Sequence, residues 1–146
     1  MVKIEVTAKN VGPTVFSADI RGYEVKADAP EAMGGTGTAP IPPEIFLAAL
    51  AECFGMVAAL HCKQRGLPYE GMTVTASAEK AEEDGEEYWA NIKLHVHFPE
   101  KLDEERLEAI LRHAKKACSV SGTVERAIDV EVTASAGGSG CCCCGG

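Results

Sequence analysis

The stretch Pro42–Arg65, PPEIFLAALAECFGMVAALHCKQR, decides the fold. Between positions 45 and 60 its single charged side chain is Glu52, and most of the others are strong helix formers. It reads as a helix. A surface helix has one apolar stripe and an opposite polar face, whereas this one is apolar nearly all round. It therefore needs cover from the rest of the chain or from a second subunit. Cys53, at its middle, should lie in a core. The segment is long enough to raise a membrane reading. However, the double-proline start, Glu44, Glu52 and the HCKQR ending do not leave the roughly 20 uninterrupted apolar residues a span needs. We expect a buried helix of a soluble protein.

With 146 residues, 46% of them apolar, the chain is expected to form one domain with a substantial core. The formal net charge of -8, with no clustering of Lys and Arg, argues against nucleic acid or an anionic membrane as partner. The beginning MVKIEVTAKN alternates instead of forming an apolar block after a basic start, so a cytoplasmic protein without a secretory signal is expected. In that compartment seven cysteines are not a disulfide framework. Cys53, Cys62 and Cys118 lie in the body of the chain, while Cys141, Cys142, Cys143 and Cys144 crowd its end.

Residues 2–8, VKIEVTA, alternate apolar and polar with β-branched side chains and predict a strand. Residues 14–20 and 22–28 predict two more, with Arg21 and Gly22 at the turn between them. Residues 29–43 hold four prolines and three glycines, too many for regular structure, and read as a long loop into the helix. Beyond Gly66, residues 72–80 and 88–98 predict a hairpin whose solvated acidic tip contains Asp84-Gly85. His95 and His97 share the polar face of the second strand; with no third ligand nearby they read as solvent-facing, not as a zinc site. Asp103 is placed to cap a second helix running through Cys118, with Leu107, Ile110, Leu111, Ala114 and Cys118 on its core side. Residues 124–134 contain the last strand, expected to begin about Ile128. Residues 1–135 are thus one α+β domain of antiparallel sheets around a long buried helix. Residues 136–146 are a Gly/Ser linker with a cysteine-rich tail.

Taken alone, Cys53 and Cys118 each read as small core residues. Their sequence contexts change this. The stretch GGTGTAPIPPEIFLAALAEC, ending at Cys53, resembles the entry to the central helix of the OsmC/Ohr family of thiol peroxidases. Cys118-Ser119-Val120-Ser121 resembles that family's second cysteine motif, of the type Cys-Pro-Val-Ser. The order of elements agrees over roughly residues 1–134. The resemblance implies an intertwined homodimer with active sites at the subunit interface. It also implies Cys53 as the peroxidatic cysteine, Cys118 as the resolving one, and Arg21 as the arginine that assists the thiolate.

Many members place a glutamate ten residues before the reactive cysteine; here that position is Pro43, and Glu44 comes nine before. At about 100° per residue, nine steps set Glu44 and Cys53 on opposite sides of a straight helix. Glu44 therefore reads either as support for Arg21 or as a negative charge at a helix N-terminus. Cys62, also nine steps from Cys53, should face away from it.

The implied chemistry fits the residue types. A thiolate at Cys53 cleaves the peroxide O–O bond, leaving a sulfenic acid that condenses with Cys118 to a disulfide. A buried thiolate needs a nearby cation, which a guanidinium supplies. An apolar wall would favour organic hydroperoxides, and a thiol or dithiol reductant would restore the enzyme. No cofactor and no resident metal is expected. Two other functions stay open: a dimer of this type that binds a small molecule without turnover, and metal or sulfur handling by the tail. Four adjacent cysteines cannot easily surround one ion, so the tail reads first as an appended tag or a disordered end.

Overall fold

The computed structural model describes residues 2–126 and 130–135, and the backbone of 141–143. The linker residues 136–140, the end of the tail from Cys144, and Ile128, where the last strand was expected to begin, lie outside the described residues. The element order is β1 (Ala8–Asn10), β2 (Phe16–Ile20), β3 (Tyr23–Ala27), α1 (Pro42–Arg65), β4 (Thr73–Glu83), β5 (Glu86–His97), α2 (Glu104–Ala117), α3 (Ser119–Val124), β6 (Thr133–Ser135) and β7 (Cys141–Cys143). Both larger sheets are antiparallel, and the α+β architecture agrees with the sequence reading.

Local chemistry sets each boundary of α1. Two prolines fit its first turn, where a backbone donor is dispensable. Gly66, at φ 64°, ends it in the left-handed conformation while Leu67 N–H reaches back to the Cys62 carbonyl at 3.0 Å. The covered residues form one stripe, Leu50, Phe54, Ala58, His61 and Cys62. Ala58, Cys62, Ile110 and Ala114 are all 0% exposed, and together with Phe54 and Cys118 they make the core between α1 and α2. β4 crosses the same helix closely enough that a Cβ on Gly55 would sit 3.1 Å from the Val74 methyl. By length and apolarity alone α1 could cross a membrane; here one face packs on α2, α3 and β4.

This chain alone does not supply all the cover that α1 needs. Phe46, Met56 and Leu60 are 40%, 60% and 53% exposed, so this chain covers one side of α1 and leaves the other bare. The strand predicted over residues 2–8 is also displaced. Only Ala8–Asn10 pairs, while Val2, Ile4 and Val6 are exposed, with no strand beside them among the described residues. The three-stranded sheet β1–β3 does not pack on α1, α2 or the β4–β5 hairpin of its own chain.

The β4–β5 hairpin turns at Asp84-Gly85, with φ of 53° and 82°, as the dipeptide predicts. Met72, Val74, Ala76 and Ala78 face inward, and His95 and His97 face solvent. A bulge opposite Ala78 places Asn91 at φ 51°, where its amide donates to Glu79 at 2.7 Å.

The loop before α1 is more ordered than its prolines and glycines predict. It contains a 3-10 turn at Glu31–Met33, and it is tied by Asp28, which is 2% exposed. The Asp28 carboxylate accepts from the hydroxyls of Thr14, Thr36 and Thr38 and from the N–H groups of Ala29 and Thr38. Any Cβ on Gly35 would overlap the Ala29 carbonyl, so the loop closes only with glycine there.

The Thr14 and Thr36 hydroxyls, followed by the Thr38 N–H, hold the Asp28 carboxyl well below the usual carboxylate range. Since the folded value is depressed, its stabilising contribution is present above the unfolded pKa of about 4 and is lost as pH falls through the folded value. Asp28→Asn should lower Tm at neutral pH and flatten the acid limb of the stability profile, measured by thermal unfolding across pH. An unchanged acid limb would rule this out. Ile110→Ala should cost about 3 kcal/mol in denaturant unfolding, because it opens a void between helices that cannot collapse freely.

Candidate functional site

α2 carries Cys118 to the middle of α1. The expected helix through Cys118 stops one residue short, at Ala117. Cys118 takes φ -72° and ψ 106° and becomes the cap of a short helix, α3, which the sequence reading did not assign. The reason is local. The run Cys118-Ser119-Val120-Ser121 lets the chain turn and restart, with Ser121 N–H donating to Cys118 Sγ at 3.4 Å and Ser121 Oγ donating to the Cys118 carbonyl at 3.1 Å. Cys118 is 1% exposed. Cys53 is half-buried and packs against the core cluster that contains Cys118.

The three cysteines in the body of the chain differ by what surrounds them. Burial alone acts on Cys62 and pushes its thiol up, which suits a structural residue. Burial also pushes Cys118 up. There, contacts with the Ser121 side chain and N–H, the Cys53 side chain and the Val120 N–H outweigh it, and the thiol ends below its ordinary value. The Ser121 hydroxyl has one proton and its geometry directs that proton to the carbonyl, so the backbone N–H is the firmer donor to sulfur. Two thiols side by side, one half-exposed and the other solvated by protein donors, are arranged for thiol–disulfide chemistry.

Arg21 and Glu44 stand elsewhere. Arg21 occupies the first position of the β2–β3 turn with φ 56°, followed by Gly22 at φ 88°; the Gly22 N–H bonds to Asp19 at 3.2 Å. A positive φ is unfavourable for arginine, and the side chain is exposed with no ion pair to the described residues. Glu44 accepts from Ile41 N–H at 3.0 Å while its own N–H bonds to the Ile41 carbonyl, so it closes the first turn of α1. The single chain thus joins Cys53 to Cys118 and leaves Arg21 and Glu44 in separate places.

Sequence reasoning assigned no role to Ser121, although its position three after Cys118 is that of an N-cap partner. It also passed over the buried His61. Its signal was available: His61 continues the Leu50, Phe54, Ala58 stripe.

This fold has relatives. Residues 35–133 match the model of the OsmC-like protein family, and the chain belongs to that family. Among solved structures it is similar to an organic hydroperoxide resistance protein OsmC from Legionella pneumophila. That likeness has a TM-score of 0.66 and 20% identity, and covers 85% of this chain and 91% of the other. An OsmC-like protein from Mycoplasma pneumoniae gives a TM-score of 0.71 at 19% identity, covering 85% and 88%. An organic hydroperoxide resistance protein from Elizabethkingia anophelis, with thiocyanate bound, gives 0.65 at 21%, covering 84% and 89%. No curated protein matches in sequence.

The different surroundings of the thiols can be read directly. Thiolate absorbance lost in Cys118→Ala should titrate below the ordinary thiol range, and that lost in Cys62→Ala above it. Coincident titrations would show that the donors around Cys118 do not act on its sulfur.

Proposed function

We propose that the protein is a thiol-dependent peroxidase that reduces organic hydroperoxides, and that its working unit is a homodimer. The observation that carries this reading is the placement of half-exposed Cys53 beside buried Cys118. The Cys53 thiolate attacks the distal peroxide oxygen; the O–O bond breaks, Cys53 becomes a sulfenic acid, and the alkoxide takes a proton to leave as alcohol. The Cys118 thiolate then attacks the sulfenic sulfur, expelling hydroxide, which leaves as water, and forming the disulfide. An external dithiol returns two electrons and two protons and restores both thiols.

The dimer is supported by what the chain leaves bare. Phe46, Met56 and Leu60 lie on one side of α1, spaced to meet another helix, and β1–β3 stand clear of their own helical layer. We infer that a second copy covers both. In this arrangement Arg21 is supplied to the cysteine pair of the partner, and the strained turn holds it ready for that contact. The apolar flank of α1 around Cys53 favours a hydroperoxide with an organic tail. Glu44 favours a second reading, a dimer that binds a small molecule without turnover, because it is engaged at the helix start.

Cumene hydroperoxide with excess dithiol separates the two. We expect consumption with formation of a Cys53–Cys118 disulfide when the dithiol is left out. Cys53→Ser should abolish turnover, and Arg21→Ala should lower kcat/KM by on the order of 100-fold. Leu60→Glu should convert the dimer to monomer in sedimentation and lose activity with it. Deletion of residues 137–146 should change neither. Wild type that consumes no peroxide, or Cys53→Ser that consumes it equally well, would sink the peroxidase reading.

A further inference from the structure

Phe46, Ala49, Cys53, Met56 and Leu60 follow one another along α1 at alternating steps of three and four residues. That spacing draws a single seam down the helix, of the kind that a second copy of the same helix matches. Phe46, Ala49, Met56 and Leu60 are exposed, and Cys53 is half-buried at the middle of the line. The packing of α1 on α2, α3 and β4 leaves this seam open.

Within the seam Met56 stands apart by its chemistry. It lies one turn from Cys53, at the spacing that makes neighbours on a helix surface, and it is 60% exposed. A hydroperoxide that approaches the Cys53 sulfur along this face also meets the Met56 thioether. Of the other described methionines, Met72 is half-buried against the core. Met33 is 76% exposed, but it lies on the 3-10 turn before α1 and not on the seam.

We propose that Met56 is a peroxide-oxidation site whose sulfoxide keeps two copies of the chain apart. The inference rests on the homodimer proposed above and adds a control over it. In the separated subunit the Met56 sulfur lone pair attacks the distal oxygen of an organic hydroperoxide. The O–O bond breaks, the sulfur takes that oxygen and is oxidised by two electrons, and the alkoxide takes up the hydroxyl proton to leave as alcohol.

The product carries a polar S=O group in place of an apolar thioether. Closing the seam over it buries an acceptor where few donors exist. The backbone N–H groups of α1 are used within the helix, and among the seam's side chains only the weak S–H of Cys53 can donate. An acceptor left unpaired in this way is costly, and a two-fold contact repeats the cost in both subunits. A dithiol returns a disulfide to thiols but leaves the sulfoxide, which needs a methionine sulfoxide reductase. Sustained peroxide then withholds the partner's guanidinium from the cysteine pair until that repair.

The test uses full-length protein treated with cumene hydroperoxide at protein concentrations below and above the dimer dissociation constant, followed by excess dithiol. Peptide mass spectrometry should show Met56 gaining one oxygen in the dilute sample and protected in the concentrated one, with Met33 oxidised alike in both. Sedimentation should show the oxidised protein associating about tenfold or more weakly than the reduced protein, with recovery after methionine sulfoxide reductase. Met56→Leu should form the dimer and keep it through the same treatment, and Met56→Gln should weaken association without any oxidant. Reduced protein that stays monomeric overturns the dimer reading and this inference with it. A reduced dimer whose association is unchanged by oxidation of Met56 overturns this inference alone. So does Met56→Leu that loses its dimer to peroxide as readily as the wild type.

Discussion

Close packing of α2 on one face of α1 is the constraint on which the rest of the structure depends. Ala58 and Ala114 are fully buried in that contact, and side chains so small let the two backbones approach. Ile110 and Cys62 fill the space beside them. The same contact fixes the site. Because α2 is held along the middle of α1, its C-terminal end must arrive beside Cys53, and the residue that ends it is Cys118. Core packing and cysteine geometry are therefore one feature, and loosening the first separates the second.

That constraint also explains why two buried cysteines have opposite character. Cys62 lies in the interior of α1, where every nearby backbone donor is already used in the helix, so burial acts on it unopposed. Cys118 lies in the break between α2 and α3, where the first N–H groups of a new helix have no carbonyl to meet. Ser121 N–H turns to the sulfur instead. A helix interruption of one residue converts a core thiol into one solvated by the protein.

Much of this was legible in the sequence. The period of two in residues 72–80 and 88–98, the Asp84-Gly85 turn, and the capping Asp103 all became the elements they predicted. So did the extent of α1, since proline at its start and glycine after its end act locally. Features that depend on distant residues were not legible. The knot at Asp28 unites Thr14, Thr36 and Thr38 from both sides of a strand, and none of these has a local signature. α3 was missed because residues 119–124 carry β-branched side chains at Val120, Thr123 and Val124, and the need to cap at Cys118 overrides that preference. At the site, the two motifs drew attention to Cys53 and Cys118, while the placement of Arg21 and Glu44 rests on chain contacts that spacing alone does not fix.

The bare face of α1 and the isolated position of Arg21 belong to one argument. A helix apolar on all sides cannot be satisfied by a chain that covers half of it, and Arg21, at positive φ, makes no ion pair with the described residues. Both costs are relieved together if a second copy lays its own α1 against the open face and receives the β2–β3 turn near its cysteines. The proposed peroxidase then acquires its cation only on assembly. A lone subunit would keep Cys53 and Cys118 paired yet lack the guanidinium that favours a thiolate at Cys53. On this view the apolarity that first marked Pro42–Arg65 in the sequence is the means by which reactivity is tied to association.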